Sequence, residues 1–177
     1  MAILEIIHVP DPRLREMCTP VRPDELDDAF RAHTRDMAES MYAAPGVGLA
    51  APQVGDCRRY LVADPGNEDG DSTKRGVDLL VLVNPQIVEA SQQKCKAEEG
   101  CLSVLDLWEN FLRPCWVEVR YLDEHGRPQQ RRFEDFAATV IQHEMDHLDG
   151  ITILDKVSRL KRSRYLRARK KARQRGG

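Results

Sequence analysis

No apolar run in this chain approaches the roughly 20 residues that a membrane-spanning helix needs, so a transmembrane helix and a membrane partner are excluded at this level. A basic lead is also missing ahead of Ile3-Leu4-Glu5-Ile6-Ile7, and that apolar stretch is broken too soon to serve as a signal peptide. A cytoplasmic location is the resulting expectation. Cysteine is sparse: five residues, irregularly spaced and without a C-x-x-C pair, which predicts free thiols or ligands rather than a disulfide framework. Acid is absent from one region only. From Lys156 to Gly177 there are eleven Lys and Arg and no Asp or Glu, so the preceding residues hold all twenty-nine acids, sixteen bases and a formal charge of −13. An acidic body with a basic tail predicts that the tail meets an anionic surface.

The chain is long enough at 177 residues to bury one substantial core, and its 41% hydrophobic and 32% charged content is that of an ordinary globular protein. No linker or repeat divides it, so residues 1–177 read as a single domain. Residues 3–9 predict a short strand or extended arm, followed by breaks at Pro10, Pro12, Pro20 and Pro23. A helix capped by Asp24 follows, with Leu26, Phe30, Met37 and Met41 on its buried face, and Pro45-Gly46 ends it. Strands are expected at 59–63, 77–84, 87–90 and 94–104, the last interrupted at Gly100. Residues 117–121 and 129–133 form a hairpin, 136–148 a helix stopped by Gly150, 151–154 a short strand, and about 158–175 a basic helix.

Three stretches carry the chemical signal. The most specific is Gln142-His143-Glu144-Met145-Asp146-His147-Leu148-Asp149-Gly150. Histidines four apart on a helix share one face, so both imidazoles can reach one metal ion, and Glu144 can accept a proton from water there. A hydrolytic site of this kind ordinarily takes a third protein ligand. One common arrangement places a histidine six residues after the second, where this chain has Ile153. Another uses a glutamate farther along, and no carboxylate follows Asp155. Asp149 and Asp155 remain nearby, with unfavourable helix geometry. A third ligand would then come from upstream, where Cys101 stands in Glu98-Glu99-Gly100-Cys101-Leu102-Ser103; its ordinary alternative role is a small buried hydrophobe. Cys18, Cys57, Cys95 and Cys115 lack that context and read as buried thiols. The third stretch, Gly46-Val47-Gly48-Leu49-Ala50-Ala51-Pro52-Gln53, permits close backbone approach. It is neither a dinucleotide loop, having no preceding strand, nor a P-loop, having no Gly-Lys-Ser/Thr.

Together and in this order, the three blocks resemble the signature motifs of peptide deformylases, and Val9-Pro10-Asp11-Pro12-Arg13-Leu14-Arg15 resembles that family's opening. The resemblance spans nearly the whole chain. It implies an α+β fold, with antiparallel sheets around a central H-E-x-x-H helix and a C-terminal helix. It implies a bacterial hydrolase that removes the formyl group from the N-formylmethionine of nascent polypeptides. Cys101, His143 and His147 resemble the metal ligands, Glu144 the general base, and Gln53 and the Leu102 N–H the oxyanion donors. Gly46, Val47, Gly48, Glu99 and Gly100 fall in the substrate-binding blocks, with Arg113 as the charge partner of Glu99. Thr139 and Val140 lie one helical turn before His143 and, with Val47 and Phe136, read equally as the wall of a methionine pocket or as helix core. The ligand set suits zinc, whereas the resemblance implies ferrous iron as the physiological metal, with nickel, cobalt or zinc as alternative occupants. It also implies contact between the basic tail and ribosomal RNA.

The chain departs from the family pattern at Leu105, where many members have proline, and at Trp108, where some have a peptide-binding arginine. The apolar run Leu105, Leu107, Trp108 and Phe111 reads as core, lid or subunit contact, and Trp108 is expected to meet substrate or a neighbouring subunit. Two other functions fit parts of the sequence. Another H-E-x-x-H peptidase would cut peptide bonds instead of releasing formate, and a ribosome- or RNA-binding protein would carry only a vestigial metal site.

Overall fold

The computed structural model describes residues 2–67 and 72–175. Its frame is a five-stranded antiparallel sheet with two helices on opposite faces. The first helix, α1, spans Asp28–Ala43. Its cap is Asp27, whose carboxylate accepts from the Phe30 N–H at 2.8 Å, and not Asp24 as the sequence suggested. Asp24 instead lies in a 3-10 turn, Pro23–Glu25, that ends where Leu26 leaves helical geometry. Such a cap stabilises a helix by about 1 kcal/mol.

After α1 come β1 (Gly48–Ala50), β2 (Tyr60–Ala63) and β3 (Leu80–Ala90). The expected strands at 77–84 and 87–90 are one element, because Pro85 is accommodated at a register shift beside Asn84, which has a φ of 52°. The hairpin β6 (Trp116–Leu122) and β7 (Pro128–Glu134) completes the sheet, in the order β1-β2-β3-β6-β7. Alternation along β2 explains the layering. Leu61 and Ala63 face the second helix, α2 (Asp135–Leu148), whereas Tyr60 and Val62 face α1. Helix α2 buries Ala138, Ile141 and Leu148 completely and meets Val117, Val119 and Phe133 across the core.

The remaining strands, β4 (Lys94–Cys101) and β5 (Val104–Pro114), form a separate two-stranded sheet. The expected strand at 94–104 therefore turns at Leu102-Ser103, and the apolar run after it is itself a strand. The N-terminal residues are an extended arm pinned by Ile7 N–H to Gln53 O at 2.8 Å and Val9 N–H to Ser103 O at 3.0 Å. With Leu14, this arm packs Ile7 and Val9 against Val104, Leu107 and Phe111 of β5.

Two further expectations fail. Residues 151–154 are not a strand: a short helix, α3, spans Ile153–Lys156, because Asp155 accepts from both the N–H and the hydroxyl of Thr152 and closes a helix start. Cys95 and Cys115 are not free thiols but form a disulfide with Cα atoms 4.9 Å apart. Cross-strand pairing brings them together, since Cys95 faces Arg113 and Cys115 follows two residues later. Spacing in sequence carries no trace of that register. Cys18, Cys57 and Cys101 are free. The last helix, α4, spans Arg159–Arg175. Among the described residues no helix is long and apolar enough to cross a membrane.

Candidate metal centre and substrate cleft

Helix α2 supplies one wall of the site. It begins where Asp135 N–H bonds Cys115 O, and its Gln142 amide donates to Pro114 O, so the helix is fastened to the end of β5. This fixes the azimuth at which His143, Glu144 and His147 leave the helix. All three are buried. The facing wall is the β4–β5 hairpin, which delivers Cys101 from its turn. One donor atom each from Cys101, His143 and His147 lies within 4.8 Å of the others. Cys101 Sγ and His147 Nε2 are 3.2 Å apart, close to the roughly 3.5 Å edge expected between sulfur and nitrogen ligands of a tetrahedral ion.

Orientation of His143 is set from behind. Its Nδ1 lies 2.9 Å from Glu99 Oε2, leaving Nε2 for the cluster. Glu99 in turn receives Arg113 Nε at 2.5 Å and a terminal guanidinium nitrogen at 2.8 Å, and the other terminal nitrogen donates to Asp146 at 2.8 Å. Lys156 also pairs with Asp146. Burial alone would raise the Glu99 pKa, but the hydrogen bonds from Arg113 and His143 outweigh it and bring the value to about 2. Glu99 is thus an ionised group that orients His143, and its own carboxylate is occupied. Arg113, matched to it from the sequence as a charge partner, occupies that place.

The charges around the cluster favour a cation. Burial pulls the His143 pKa down, but the Cys101 sulfur and Glu99 push it up to about 10. Burial, with His143 next to it, holds His147 well below its ordinary range, so His147 is neutral, the form that ligates. Burial raises Glu144 to about 7, and one of its oxygens, Oε2, is buried without a hydrogen-bond partner. A soft sulfur and two imidazoles within reach of one another, with a buried carboxylate oxygen that lacks a partner, fit a divalent metal ion.

The glycine stretch places the rest. At Gly48 an added Cβ would lie 2.5 Å from Glu144 Oε1, so any side chain there would displace the carboxylate. Gly46 is likewise filled by Leu102, whose side chain would lie 2.7 Å from such an atom. The 3-10 turn Ala51–Val54 carries Gln53, fully buried. Its Oε1 accepts from the Ala50 N–H at 2.8 Å, and its Nε2 donates to Ser103 Oγ at 3.1 Å and lies 3.9 Å from Cys101 Sγ. Ser103 is a positioning group to which the sequence assigned no role. Its motif position was visible, but its partner depends on how the hairpin meets the turn.

A cavity of about 630 Å³ opens from this cluster. Gly46, Val47 and Gly48 line one side, and Gly100, Cys101 and Leu102 the other. Phe136, Thr139 and Val140 of α2 wall its inner end beside His143 and Glu144. Thr139 and Val140 are thus both buried helix residues and cavity wall, which joins the two readings that the sequence left open. Leu105, Asp106, Leu107 and Trp108 form the outer rim, so Trp108 belongs to the cleft. His147 and Arg113 do not line the cavity.

Residues 3–163 match the family model described as polypeptide deformylase. A peptide deformylase of Rhizorhabdus wittichii is 44% identical over 173 residues, covering 98% of this chain and 97% of that one. One from Hyphomonas neptunium is 45% identical over 172 residues, covering 97% and 94%. The crystal structure of peptide deformylase from Ehrlichia chaffeensis in complex with actinonin superposes with a TM-score of 0.87 at 37% identity, covering 97% of this chain and 98% of that one.

Proposed function

This chain belongs to the polypeptide deformylase family, enzymes that remove the formyl group from the N-terminal N-formylmethionine of nascent polypeptides, and we propose that Glu144, Gln53 and the Leu102 N–H perform that hydrolysis here beside one divalent ion held by Cys101, His143 and His147. The ion, when bound, acidifies water and polarises the formyl carbonyl. Glu144 accepts the proton of the water that attacks the formyl carbon, then returns it to the methionine nitrogen as the C–N bond breaks. Formate and a free amine leave. The Gln53 amide, held by Ala50 and Ser103, and the Leu102 N–H donate to the oxygen on which charge develops. Val47, Phe136, Thr139 and Val140 receive the methionine side chain. The backbones of Gly46, Gly48 and Gly100 border the peptide, and Glu99 with Arg113 holds His143 in register.

One observation carries this assignment: Glu144, with one carboxylate oxygen against Gly48 and the other buried without a partner, shares the cleft lined by the glycine stretch with Cys101 and His143 of a convergent Cys-His-His set. The test is formate release from a formyl-Met peptide by protein prepared anaerobically with defined metals. Formate release with peptide bonds intact supports the reading, and peptide cleavage would replace it with a peptidase. Greatest activity with ferrous iron is the expected metal order, and equal activity with every ion would remove the assignment to iron.

We place the reaction in the bacterial cytoplasm, where nascent chains emerge, and treat residues 1–177 as one catalytic domain that includes the basic helix. That helix supports contact with ribosomal RNA. Arg159, Arg164, Arg167, Lys170 and Lys171 make no ion pair among the described residues, which leaves one charged face outward. Ribosome binding should weaken steeply with added salt and be lost on removal of residues 159–177. Salt-insensitive binding would exclude this contact.

A further inference from the structure

The ladder between β4 and β5 breaks beside the metal cluster. Glu99 pairs with Glu109, and the next pair is Cys101 with Val104. Gly100 alone therefore faces four residues, Leu105 to Trp108, which bulge from the strand and form the rim of the cleft. Asp106, inside the bulge, holds a φ of 62°, a left-handed conformation costly for a residue other than glycine. The Trp108 ring folds back over Gly100, where an added Cβ would lie 2.9 Å from it. The ring is nonetheless 68% exposed and stands at the entrance.

What holds this irregular segment is α4. Lys161, Tyr165 and Arg169 are spaced by four and share one face of the helix. The Tyr165 hydroxyl donates to Leu105 O at 2.9 Å, Arg169 pairs with Asp106 at 3.3 Å, and Lys161 pairs with Glu109 at the bulge's far end. Tyr165 and Leu166 also pack on the cluster that contains Leu107 and Phe111. One stripe of the basic helix thus grips both ends of the bulge, while its opposite charges point away.

We propose that α4 is a positioning element for the substrate cleft: through Tyr165, assisted by Arg169 and Lys161, it fixes the Leu105–Trp108 bulge, so that the outer cleft recognises peptide residues beyond the formylmethionine. This rests on the deformylase reading of the cleft. The hydrogen bond and ion pairs of these groups run to Leu105, Asp106 and Glu109 and not to the metal donors or Glu144, so their loss should act on binding of longer peptides and leave the chemical step alone.

The test compares a formyl-methionyl dipeptide with a formylated tetrapeptide whose third residue is apolar, using the full chain, Tyr165→Phe and Arg169→Glu. Expected are a KM for the tetrapeptide raised threefold or more in both variants, and a dipeptide KM and both kcat values within twofold of the unaltered chain. In a Trp116→Phe background, which leaves Trp108 as the only tryptophan, both variants should shift its emission to longer wavelength. Equal KM changes for the two peptides, or no change in either, would overturn the proposal, as would a loss of thermal stability with no length-dependent effect. No formate release from either peptide by the unaltered chain would instead overturn the deformylase reading, and this proposal with it.

Discussion

The two walls of the cleft are built on opposite principles. Helix α2 is regular, buried, and packed into the main sheet. The β4–β5 hairpin stands apart from that sheet, breaks its own ladder and exposes Trp108 and Leu112. The helix holds two of the candidate metal donors and the proposed base within five residues, so a packed core fixes their geometry. The hairpin brings the third donor and the rim, and three local tethers from α4 fix its outer part. Proton transfer and metal binding need geometry held tightly, whereas accepting varied peptides needs a surface that can differ among relatives without disturbing them. The Arg113–Glu99–His143 chain is where the walls are joined.

Removing chemistry from the helix should have the largest effect. Glu144→Gln preserves shape and burial but cannot accept the proton, so kcat for formate release should fall by about 10²–10⁴-fold while metal content stays unchanged. Stripping the ion with a chelator should abolish release, and adding a divalent metal back should restore it in the unaltered chain only. Full activity in Glu144→Gln would remove the reacting group from α2 and end the contrast between the walls.

Severing the joint comes next. Arg113 and Glu99 are both buried, and removing one partner of a buried pair commonly costs about 3–5 kcal/mol. Arg113→Met should therefore destabilise the fold and, by freeing His143, weaken metal affinity about 10–100-fold. Glu99 is held from an ordinary 4.5 to about 2, so its contribution is complete above 4.5 and lost as pH falls toward 2. The variant should lose much of that acid-dependent stability, measured as unfolding free energy across that range. Normal metal affinity in Arg113→Met would mean that the two walls are set independently.

The disulfide tests whether the base of the hairpin matters as its rim does. Cys95 and Cys115 close a loop over a sequence separation of 20, for which about 2–4 kcal/mol of stabilisation is expected. Reduction, or Cys115→Ser, should lower the unfolding free energy by that amount and leave kcat for a formyl-Met dipeptide unaltered. Such bridges are uncommon in a reducing cytoplasm, so thiol trapping in cell extract would report how much of the protein carries it there. A fall in kcat on reduction would extend the chemical wall to the hairpin's base.

The same contrast explains what was legible in the sequence. The helix announced itself because its period and its two histidines coincide within one short stretch, and the β6–β7 hairpin because its strands alternate around an obvious turn. Gln53, Cys101 and Glu99 were reachable through motif resemblance, and the structure brings them to one place. The β5 strand was not legible. Leu105, Trp108 and Leu112 face outward while Arg113 is buried along with Leu107 and Phe111, so the apolar-in pattern is broken, and the carboxylates of Glu99 and Asp146 explain the buried arginine. Ser103, the disulfide, the bulge and the tethers from α4 all depend on register between segments far apart in sequence. Short helix α3 was missed because Thr152 and Asp155 cap it locally within a stretch whose isoleucines and leucine suggest a strand.

Trp108 sharpens the comparison at its smallest scale. The sequence left it between a substrate contact and a subunit contact. Its ring lines the cleft over Gly100 and stays largely exposed, which favours the substrate. An aromatic contact of this kind contributes about 0.5–1.5 kcal/mol, which corresponds to a roughly two- to tenfold change. Trp108→Ala should therefore lower kcat/KM for a tetrapeptide with an apolar third residue by that factor, mostly through KM, and leave the sedimentation coefficient unchanged. The ring packs on Gly100 of the neighbouring strand β4 and not in a core, so the melting temperature should move little. A shift to a smaller sedimenting species with normal peptide kinetics would transfer Trp108 to a subunit interface and make the outer rim a contact between copies. Weaker binding of long peptides at constant mass would mean that the irregular wall selects substrate through a residue whose position α4 controls and whose loss the buried wall does not register.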